Sequence, residues 1–294
     1  MTLKAKIAIF IALVLWASAF VGIRAGLEEY SPEGLALLRY LVASVCLSAV
    51  YIIRPRRNPV RFRDFYLLLA VGVIGIGIYN LTLNYGELTI SSGMSSFIIS
   101  QAPILTAVLA IIFLGETLSF TRVLGFVISI LGVALITIGE QESFSWNSSI
   151  AYIFIATLAG GCFSLLQKPF LRKYNAIEST TYVIWGGTIF LSFYFSNLFY
   201  DVTHASIKST LIVIYLGIFP AAVGYIAWSY ALAEIPASRA MSFLYFTPFI
   251  ATLLGWVFLN EIPTWVSMVG CLLAMLGVWT VNHSYRKPKI SLPT

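Results

Sequence analysis

Charged residues are scarce in this sequence. They make up 10% of the chain and hydrophobic residues 59%, whereas about 25% charged residues is usual for a water-soluble globular protein. The mean hydropathy is correspondingly high, at +0.90. So few polar side chains cannot cover the surface of a soluble fold. We therefore interpret the chain as a membrane protein whose outer surface faces the lipid bilayer.

Residues that carry most enzyme chemistry are equally scarce. The sequence has two His, His204 and His283, and it contains neither an H-E-x-x-H motif nor a glycine-rich loop ending in G-K-[ST]. Three cysteines, Cys46, Cys162 and Cys271, lie inside apolar stretches without the spacing of zinc ligands or of a disulfide framework. These absences argue against an enzyme, an ATP-driven pump, a metal site and a bound cofactor.

Apolar stretches, by contrast, are long and numerous. Most have about 20 residues, which is enough to cross a hydrocarbon core of about 30 Å as a helix. We place ten of them, numbered one to ten, at residues 5–26, 33–53, 64–86, 91–114, 119–139, 147–168, 179–200, 208–232, 237–260 and 262–283. The loops between them are short. The predicted fold class is therefore an all-α membrane protein with ten transmembrane helices.

The second half of the sequence repeats the first. Adding 145 to a residue number relates the two halves without a gap. The pairs that keep both residue type and spacing are Pro103 and Pro248, Glu116 and Glu261, Gly125 and Gly270, and Gly132 and Gly277. Each copy holds five spans, an odd number, so the second copy must enter the membrane inverted. We predict two inverted five-helix repeats around a central cavity, at residues 1–140 and 147–285, followed by a tail at 286–294.

This arrangement has two interpretations. Inverted repeats are typical of alternating-access transporters, whose substrate site lies near the membrane midplane between the repeats. A duplicated structural bundle without a transport pathway would give the same pattern.

The distribution of positive charge predicts the orientation. If the N-terminus is cytoplasmic, all 18 Lys and Arg except Arg24, Arg39 and Lys208 lie at the cytoplasmic ends of the spans. The positive-inside rule then places both termini in the cytoplasm of a multi-pass protein of the cell inner membrane. Because the basic residues are spread over loop ends, with no folded domain to present them, we expect no nucleic-acid partner.

Several motifs resemble the EamA family of the drug/metabolite transporter superfamily. They are residues 16–24 (WASAFVGIR), Pro32 and residues 38–40, Ala102-Pro103 with residues 114–116, and residues 236–240, Tyr245, Thr247-Pro248, residues 254–256 and Glu261. The resemblance covers nearly the whole chain; one departure is Asn260, where the first repeat has Gly115. It implies a central cavity lined by helices one to four and six to nine, with helices five and ten outside it.

The function that the resemblance implies is secondary transport. The expected substrate is a small amphipathic metabolite, an amino acid or a related compound, moved outward. Two alternatives stay open: an importer of a quaternary amine or other metabolite, and a membrane receptor or assembly protein that transports nothing.

Polar and aromatic side chains inside the spans are the candidate substrate-binding residues, because a polar group in the membrane is costly without a partner. Asn80 and Asn84 lie four residues apart on one face of helix three, beside Tyr79. The other candidates are Trp16, Gln101, Gln167, Trp185, Tyr225, Trp228 and Tyr245. Packing between helices would use the same residues. A serine every four residues in helix four, at Ser92, Ser96 and Ser100, favours a helix contact instead.

Two charged residues are predicted to act as an ion pair or in gating. Arg39 lies inside helix two, where its long side chain could reach outward to Glu28, Glu29 or Glu33. Glu87, at the end of helix three, is the second.

Helices five and ten carry small residues and almost no polar groups. Gly125, Ser129 and Gly132 correspond to Gly270, Ala274 and Gly277. Small-residue faces favour close helix packing, so these helices are interpreted as scaffold or as the contact of a possible homodimer.

Overall fold

The computed structural model describes residues 1–53, 60–89, 92–114, 119–139, 148–250, 253–254 and 264–283. Every regular element within those ranges is helical. Several predicted features lie outside the described residues: the 140–147 connection, most of the loop that contains Pro55 and Pro59, Glu116, Glu261, and the tail at 286–294.

The described helices follow the order of the predicted spans, and we number them α1 to α10. The first five are α1 Leu3–Gly26, α2 Pro32–Ile53, α3 Phe62–Glu87, α4 in two parts, Ser92–Ile99 and Ala102–Leu114, and α5 Phe120–Gly139. The others are α6 Ser148–Gln167, α7 Ala176–His204, α8 Ile207–Glu234, α9, which begins with Ala237–Ser242, and α10 Trp265–His283.

Six of these helices, α1, α2, α3, α6, α7 and α8, have the length and hydropathy of a membrane crossing. Their outer faces expose large apolar side chains, such as Phe10, Ile52 and Phe193, of which 64%, 77% and 85% of the surface is accessible. Such exposure is unfavourable in water and natural in lipid. The chain is thus an all-helical membrane protein with at least six candidate spans.

Local sequence signals explain where the helices start. Thr2 caps α1 by accepting a hydrogen bond from the Ala5 backbone N–H at 3.2 Å. At α7, the Asn175 side chain accepts from the Glu178 backbone N–H, and the Glu178 carboxylate accepts from the Asn175 backbone N–H. This capping box starts α7 three residues before the predicted 179.

A π-helical turn interrupts both α3 and α8. The turns span Val73–Ile78 and Gly217–Val223, so they occupy equivalent places in the two repeats, although only the second contains a proline, Pro220. Widened turns of this kind bend a helix and free carbonyl groups from the regular hydrogen-bond ladder.

Helix four is not the continuous helix that we predicted. It breaks at Ser100 and Gln101. Pro103 supplies the reason, since it lacks the N–H that would bond the Ile99 carbonyl, and its ring would clash with that carbonyl. Helix α9 loosens in the same way before Pro248, with a 3₁₀ turn at Phe243–Phe246.

α5 and α10 run antiparallel in close contact. A Cβ at Gly132 would lie 2.3 Å from the Ala274 backbone nitrogen, and one at Gly277 would lie 2.1 Å from Ser129 Oγ. The small-residue faces therefore pack against each other within the chain, as the scaffold interpretation of these helices predicts. A homodimer through these two helices would have to use their other faces.

The same kind of contact joins α3 to α7 and α2 to α8. A Cβ at Gly72 would lie 1.9 Å from the Val183 carbonyl oxygen, and one at Gly217 would lie 2.6 Å from that of Arg39. Gly72 and Gly217 are equivalent in the repeat. Each repeat therefore packs on the other through the same positions.

Candidate functional site

A cavity of about 80 Å³ lies between helices of both halves. Its wall is formed by α1, α2, α3, α4, α6, α8 and α9. Among the described residues α5, α7 and α10 contribute nothing to it. The residues that form it are Trp16, Ala19, Phe20, Ile23, Arg39, Gly75, Tyr79, Asn80, Leu83, Ser96, Ile99, Ser100, Ala102, Thr157, Gly160, Phe163, Ser164, Tyr225, Trp228, Met241, Leu244 and Thr247.

One side of the cavity is an aromatic cluster. The Trp16 ring centroid lies 5.2 Å from that of Tyr225 and 5.1 Å from that of Trp228. Phe163 adds an edge contact to Tyr225, with 5.7 Å between the ring centroids. Such a surface suits an apolar or cationic group, through stacking and cation–π contacts.

The π turn in α8 orients this cluster. Trp16 Nε1 donates a hydrogen bond to the Pro220 carbonyl oxygen at 3.2 Å, so the indole of α1 is tied to the interrupted part of α8. The cluster therefore spans both halves of the chain.

The cavity wall also carries a polar pair, Arg39 and Asn80. Arg39 Nη1 donates to Asn80 Oδ1 at 3.2 Å, and Asn80 Nδ2 donates to the Ile76 carbonyl oxygen at 2.9 Å. Both side chains are buried, with 3% and 1% of their surface accessible. Ile76 lies in the π turn of α3, which thus anchors the pair.

Six of the predicted residues meet at this cavity, and all six contribute to its wall. They are Trp16, Arg39, Tyr79, Asn80, Tyr225 and Trp228. They come from α1, α2, α3 and α8.

Five other predicted residues lie elsewhere. Asn84 Nδ2 donates to the Pro32 carbonyl oxygen at 2.8 Å, one helical turn beyond the cavity. Gln167 Nε2 donates to Ser229 Oγ at 3.0 Å, and Trp185 Nε1 donates to Ser48 Oγ at 3.0 Å. Tyr245 is fully buried against Phe126, with ring centroids 6.5 Å apart. Gln101 lies at the break in α4 and donates to Ser100 Oγ at 3.2 Å.

Arg39 does not form the predicted ion pair. Two of the three glutamates proposed as its partners are bonded elsewhere, Glu29 to Ser206 and Glu33 to the Tyr85 hydroxyl, while Glu28 is exposed. Glu87 is buried, with 5% of its surface accessible, and neither carboxylate oxygen has a protein hydrogen-bond partner. It lies just beyond Leu83 and outside the cavity wall.

Sequence reasoning missed several wall residues. Thr157 lies three residues before Gly160 and seven before Ser164, so helical spacing places it on the same face as these two wall residues. Ser96 and Ser100 were interpreted as a helix contact, yet both face the cavity. Nothing in their spacing distinguishes packing from exposure to a ligand.

Hydrogen bonds across the two halves close the end of the bundle that holds Tyr30. The Ser31 hydroxyl donates to Asp201 Oδ2 at 2.6 Å, and the Tyr30 and Thr210 hydroxyls lie 2.8 Å apart.

The opposite end, which holds the N-terminus, is also bonded across the halves. Lys173 Nζ lies 3.2 Å from Asp64 Oδ2, and the Tyr174 hydroxyl donates to the same oxygen at 2.6 Å. A wider cleft of about 720 Å³ opens at this end between α1 and α8, beside Lys4 and Tyr230.

A duplicated membrane bundle with a central cavity has the architecture of a solute transporter. The model of the EamA-like transporter family matches residues 3–138 and again 147–283. This chain therefore belongs to the EamA-like transporter family, a family of membrane transporters and not of enzymes, which confirms the resemblance found in the sequence.

Curated relatives agree with this assignment. An uncharacterized transporter of Bacillus subtilis, YdfC, is 37% identical over 277 residues, which cover 94% of this chain and 90% of the relative. A probable terminal-alkyne amino-acid exporter of Streptantibioticus cattleyicolor is 33% identical over 280 residues, covering 95% and 94% of the two chains. A crystal structure shares the fold at a TM-score of 0.77 and 17% identity, covering 97% of this chain and 98% of that one.

Proposed function

We propose that this protein is a secondary transporter that exports a small amphipathic metabolite, an amino acid or a related compound, by alternating access. The observation that carries the proposal is the central cavity, because residues of both halves line it and its wall combines Arg39 and Asn80 with an aromatic cluster. The family assignment supports transport. The amino-acid class is supported by the relative described as an amino-acid exporter.

We further propose that the halves are inverted five-helix repeats with both termini in the cytoplasm. The close contacts support inversion. A Cβ at Gly125 would lie 2.9 Å from the Gly277 carbonyl oxygen, and one at Gly132 would lie 2.6 Å from the Gly270 carbonyl oxygen. Exchanging the repeats turns the first contact into the second, as expected for a two-fold axis between antiparallel helices.

The substrate-binding residues proposed from this geometry are Trp16, Tyr79, Asn80, Tyr225 and Trp228. Ligand pockets usually occupy about 300–1,000 Å³, so the cavity of about 80 Å³ must widen to hold a metabolite. Contacts between the two halves are present at both ends of the bundle. Breaking the Ser31–Asp201 contacts would open one end, and breaking the Lys173–Asp64 ion pair would open the other.

Counterflow in proteoliposomes tests the proposal. Vesicles loaded with unlabelled L-leucine should accumulate external radiolabelled L-leucine transiently, and vesicles without protein should not. The Trp228→Ala variant, checked for folding by its melting curve, should lose the accumulation. If no small amino acid is exchanged by folded protein, the chain is not the transporter proposed here.

The aromatic cluster also favours a quaternary amine as a second candidate substrate class. Choline belongs in the same assay for this reason, and its accumulation in place of L-leucine would support that class.

A further inference from the structure

The cavity wall carries a single formal charge. Among the wall residues that the structure describes, Arg39 is the one charged side chain, and there is no Asp, Glu, Lys or His. A buried cation in a membrane protein is costly unless it meets an anion or strong acceptors, so its retention points to a function.

Arg39 is only partly satisfied by the protein. Its Nη1 donates to Asn80, its Nε has no protein acceptor, and the side chain is 97% buried. In the described part of the chain, an ion pair with its charged atoms within 4.0 Å of each other joins Lys173 to Asp64. Arg39 takes part in no such pair there. The carboxylate on α3 that could pair with Arg39 is that of Glu87, and Glu87 is not one of the residues of the cavity wall.

Other groups on the same wall lack protein partners as well. These are Trp228 Nε1, Ser96 Oγ and Thr247 Oγ1, whose side chains have 1%, 3% and 8% of their surface accessible. An indole N–H can only donate, and hydroxyl groups can do so. A cation together with unpaired donors forms a site for an anionic acceptor.

Asn80 positions the guanidinium within this site. Because its Oδ1 accepts from Arg39 and its Nδ2 donates to the Ile76 carbonyl oxygen, it fixes the Arg39 head group against α3. The guanidinium fork matches the two oxygens of a carboxylate, which it can bind bidentately.

We infer that the cavity recognises the carboxylate of its substrate through Arg39 and the Trp228 indole N–H, and holds the apolar part of the substrate against Trp16 and Tyr225. This inference rests on the proposed transport function and narrows it. The substrate class is small apolar carboxylates, amino acids among them. A quaternary amine without a carboxylate is not a substrate.

A ligand series on the parent protein tests this without any substitution. L-leucine and 4-methylpentanoate carry the carboxylate, L-leucinamide replaces it with a neutral amide, and choline lacks it. Losing a hydrogen bond to a charged group costs on the order of 10- to 100-fold in affinity. In counterflow, the first two should therefore compete with labelled L-leucine, and L-leucinamide and choline should compete at least about 10-fold more weakly.

Substitutions then assign the effect to Arg39. Arg39→Gln should remove the preference for L-leucine over L-leucinamide, and Arg39→Lys should retain part of it. Arg172→Gln, at an exposed arginine in the turn after α6, is the matched control and should keep the parental preference. A second readout is the rise in melting temperature that L-leucine causes in detergent.

The outcomes separate the two proposals. Equal competition by L-leucine and L-leucinamide, or an unchanged preference in folded Arg39→Gln protein, would overturn the carboxylate inference and leave transport in place. Exchange of none of the four compounds would overturn the transport proposal and this inference with it.

Discussion

Asn80 and Asn84 show how a single helical turn separates two roles. Both are buried amides on α3, and both use their Nδ2 to bond a backbone carbonyl. Asn80 also accepts from Arg39 at the cavity, whereas Asn84 ties α3 to the start of α2 at Pro32. The first therefore bears on binding and the second on folding.

We expect Asn80→Ala to weaken substrate binding by roughly 5- to 150-fold, because loss of one buried hydrogen-bonding partner costs about 1–3 kcal/mol. Asn84→Ala should instead lower the melting temperature and leave the affinity of the folded fraction near the parental value. Isothermal titration with L-leucine, beside melting curves in detergent, measures both. Gln101→Ala, outside the cavity wall, serves as the control with parental affinity. Equal affinity of the Asn80 and Gln101 variants would contradict the assignment.

The sequence could place Asn80 and Asn84 on one face, because that follows from helical spacing. It could not say which one meets a cavity, because that depends on depth along the helix, and one turn shifts a side chain by about 5.4 Å. Gln101, a predicted binding residue, is not among the described wall residues for a related reason. The helix breaks at Ser100 and Gln101, and Ser100 and Ala102 contribute to the wall instead.

At the scale of the helices, glycine pairs set how closely the elements approach. Gly132 and Gly277 are equivalent positions, and each lies against the backbone or a short side chain of the opposite helix. The sequence predicted the small-residue faces of helices five and ten. It left open whether these faces pack on each other or on a second copy, because either arrangement buries the same residues.

Gly132→Ala and Gly277→Ala should each destabilise the protein by about 1–3 kcal/mol, since an added methyl group overpacks a close contact. Thermal unfolding in detergent should show similar losses for both, given their equivalent surroundings. Leu131→Ala and Leu276→Ala are the matched controls, because those neighbours expose 57% and 55% of their surface to lipid or detergent. Gly variants as stable as these controls would show that the α5–α10 contact is looser than described.

The connection between α7 and α8 has a pH-dependent contact outside the spans. The Ser206 backbone N–H and hydroxyl donate to the Glu29 carboxylate, and these bonds, the backbone one first, lower the pKa of Glu29 below its ordinary value of 4.5. Because the pKa is lower in the folded state, this stabilisation is fully present above pH 4.5 and is lost as the pH falls through the folded-state pKa.

The melting temperature of the parent should therefore fall more steeply than that of Glu29→Gln as the pH drops below about 4.5, the range in which a glutamate titrates. The two curves should run parallel above pH 5.5 or so, where Glu29 is ionised in both the folded and unfolded states. A scan of melting temperature against pH in detergent checks this. Identical slopes for the two proteins in the acidic range would rule out the contact.

At the scale of the whole molecule, the described helices begin within a few residues of the predicted spans, because long apolar runs are a strong signal. The offset of 145 was equally visible in the sequence. The π turns in α3 and α8 were not visible in the sequence, since only α8 carries a proline there.

The proposed inverted arrangement predicts a specific topology. Reporter domains fused after Arg63 and after Thr294 should lie in the cytoplasm, and one inserted after Gln141 should lie outside, because each repeat would cross the membrane an odd number of times. Paired alkaline phosphatase and fluorescent protein fusions measure this. A cytoplasmic signal from the position after Gln141 would exclude the inversion.

The repeated close contacts also bear on the energy of the transport cycle. If the two repeats exchange conformations between the inward-open and outward-open states, identical repeats would give those states equal internal free energy. The relative populations of the two states are then set by equivalent positions at which the repeats carry different residues. Arg39 is equivalent to Ile184 in this way, and Asn80 is equivalent to Tyr225. The residues proposed to bind the solute are thus among those that would decide which side of the membrane the empty transporter faces.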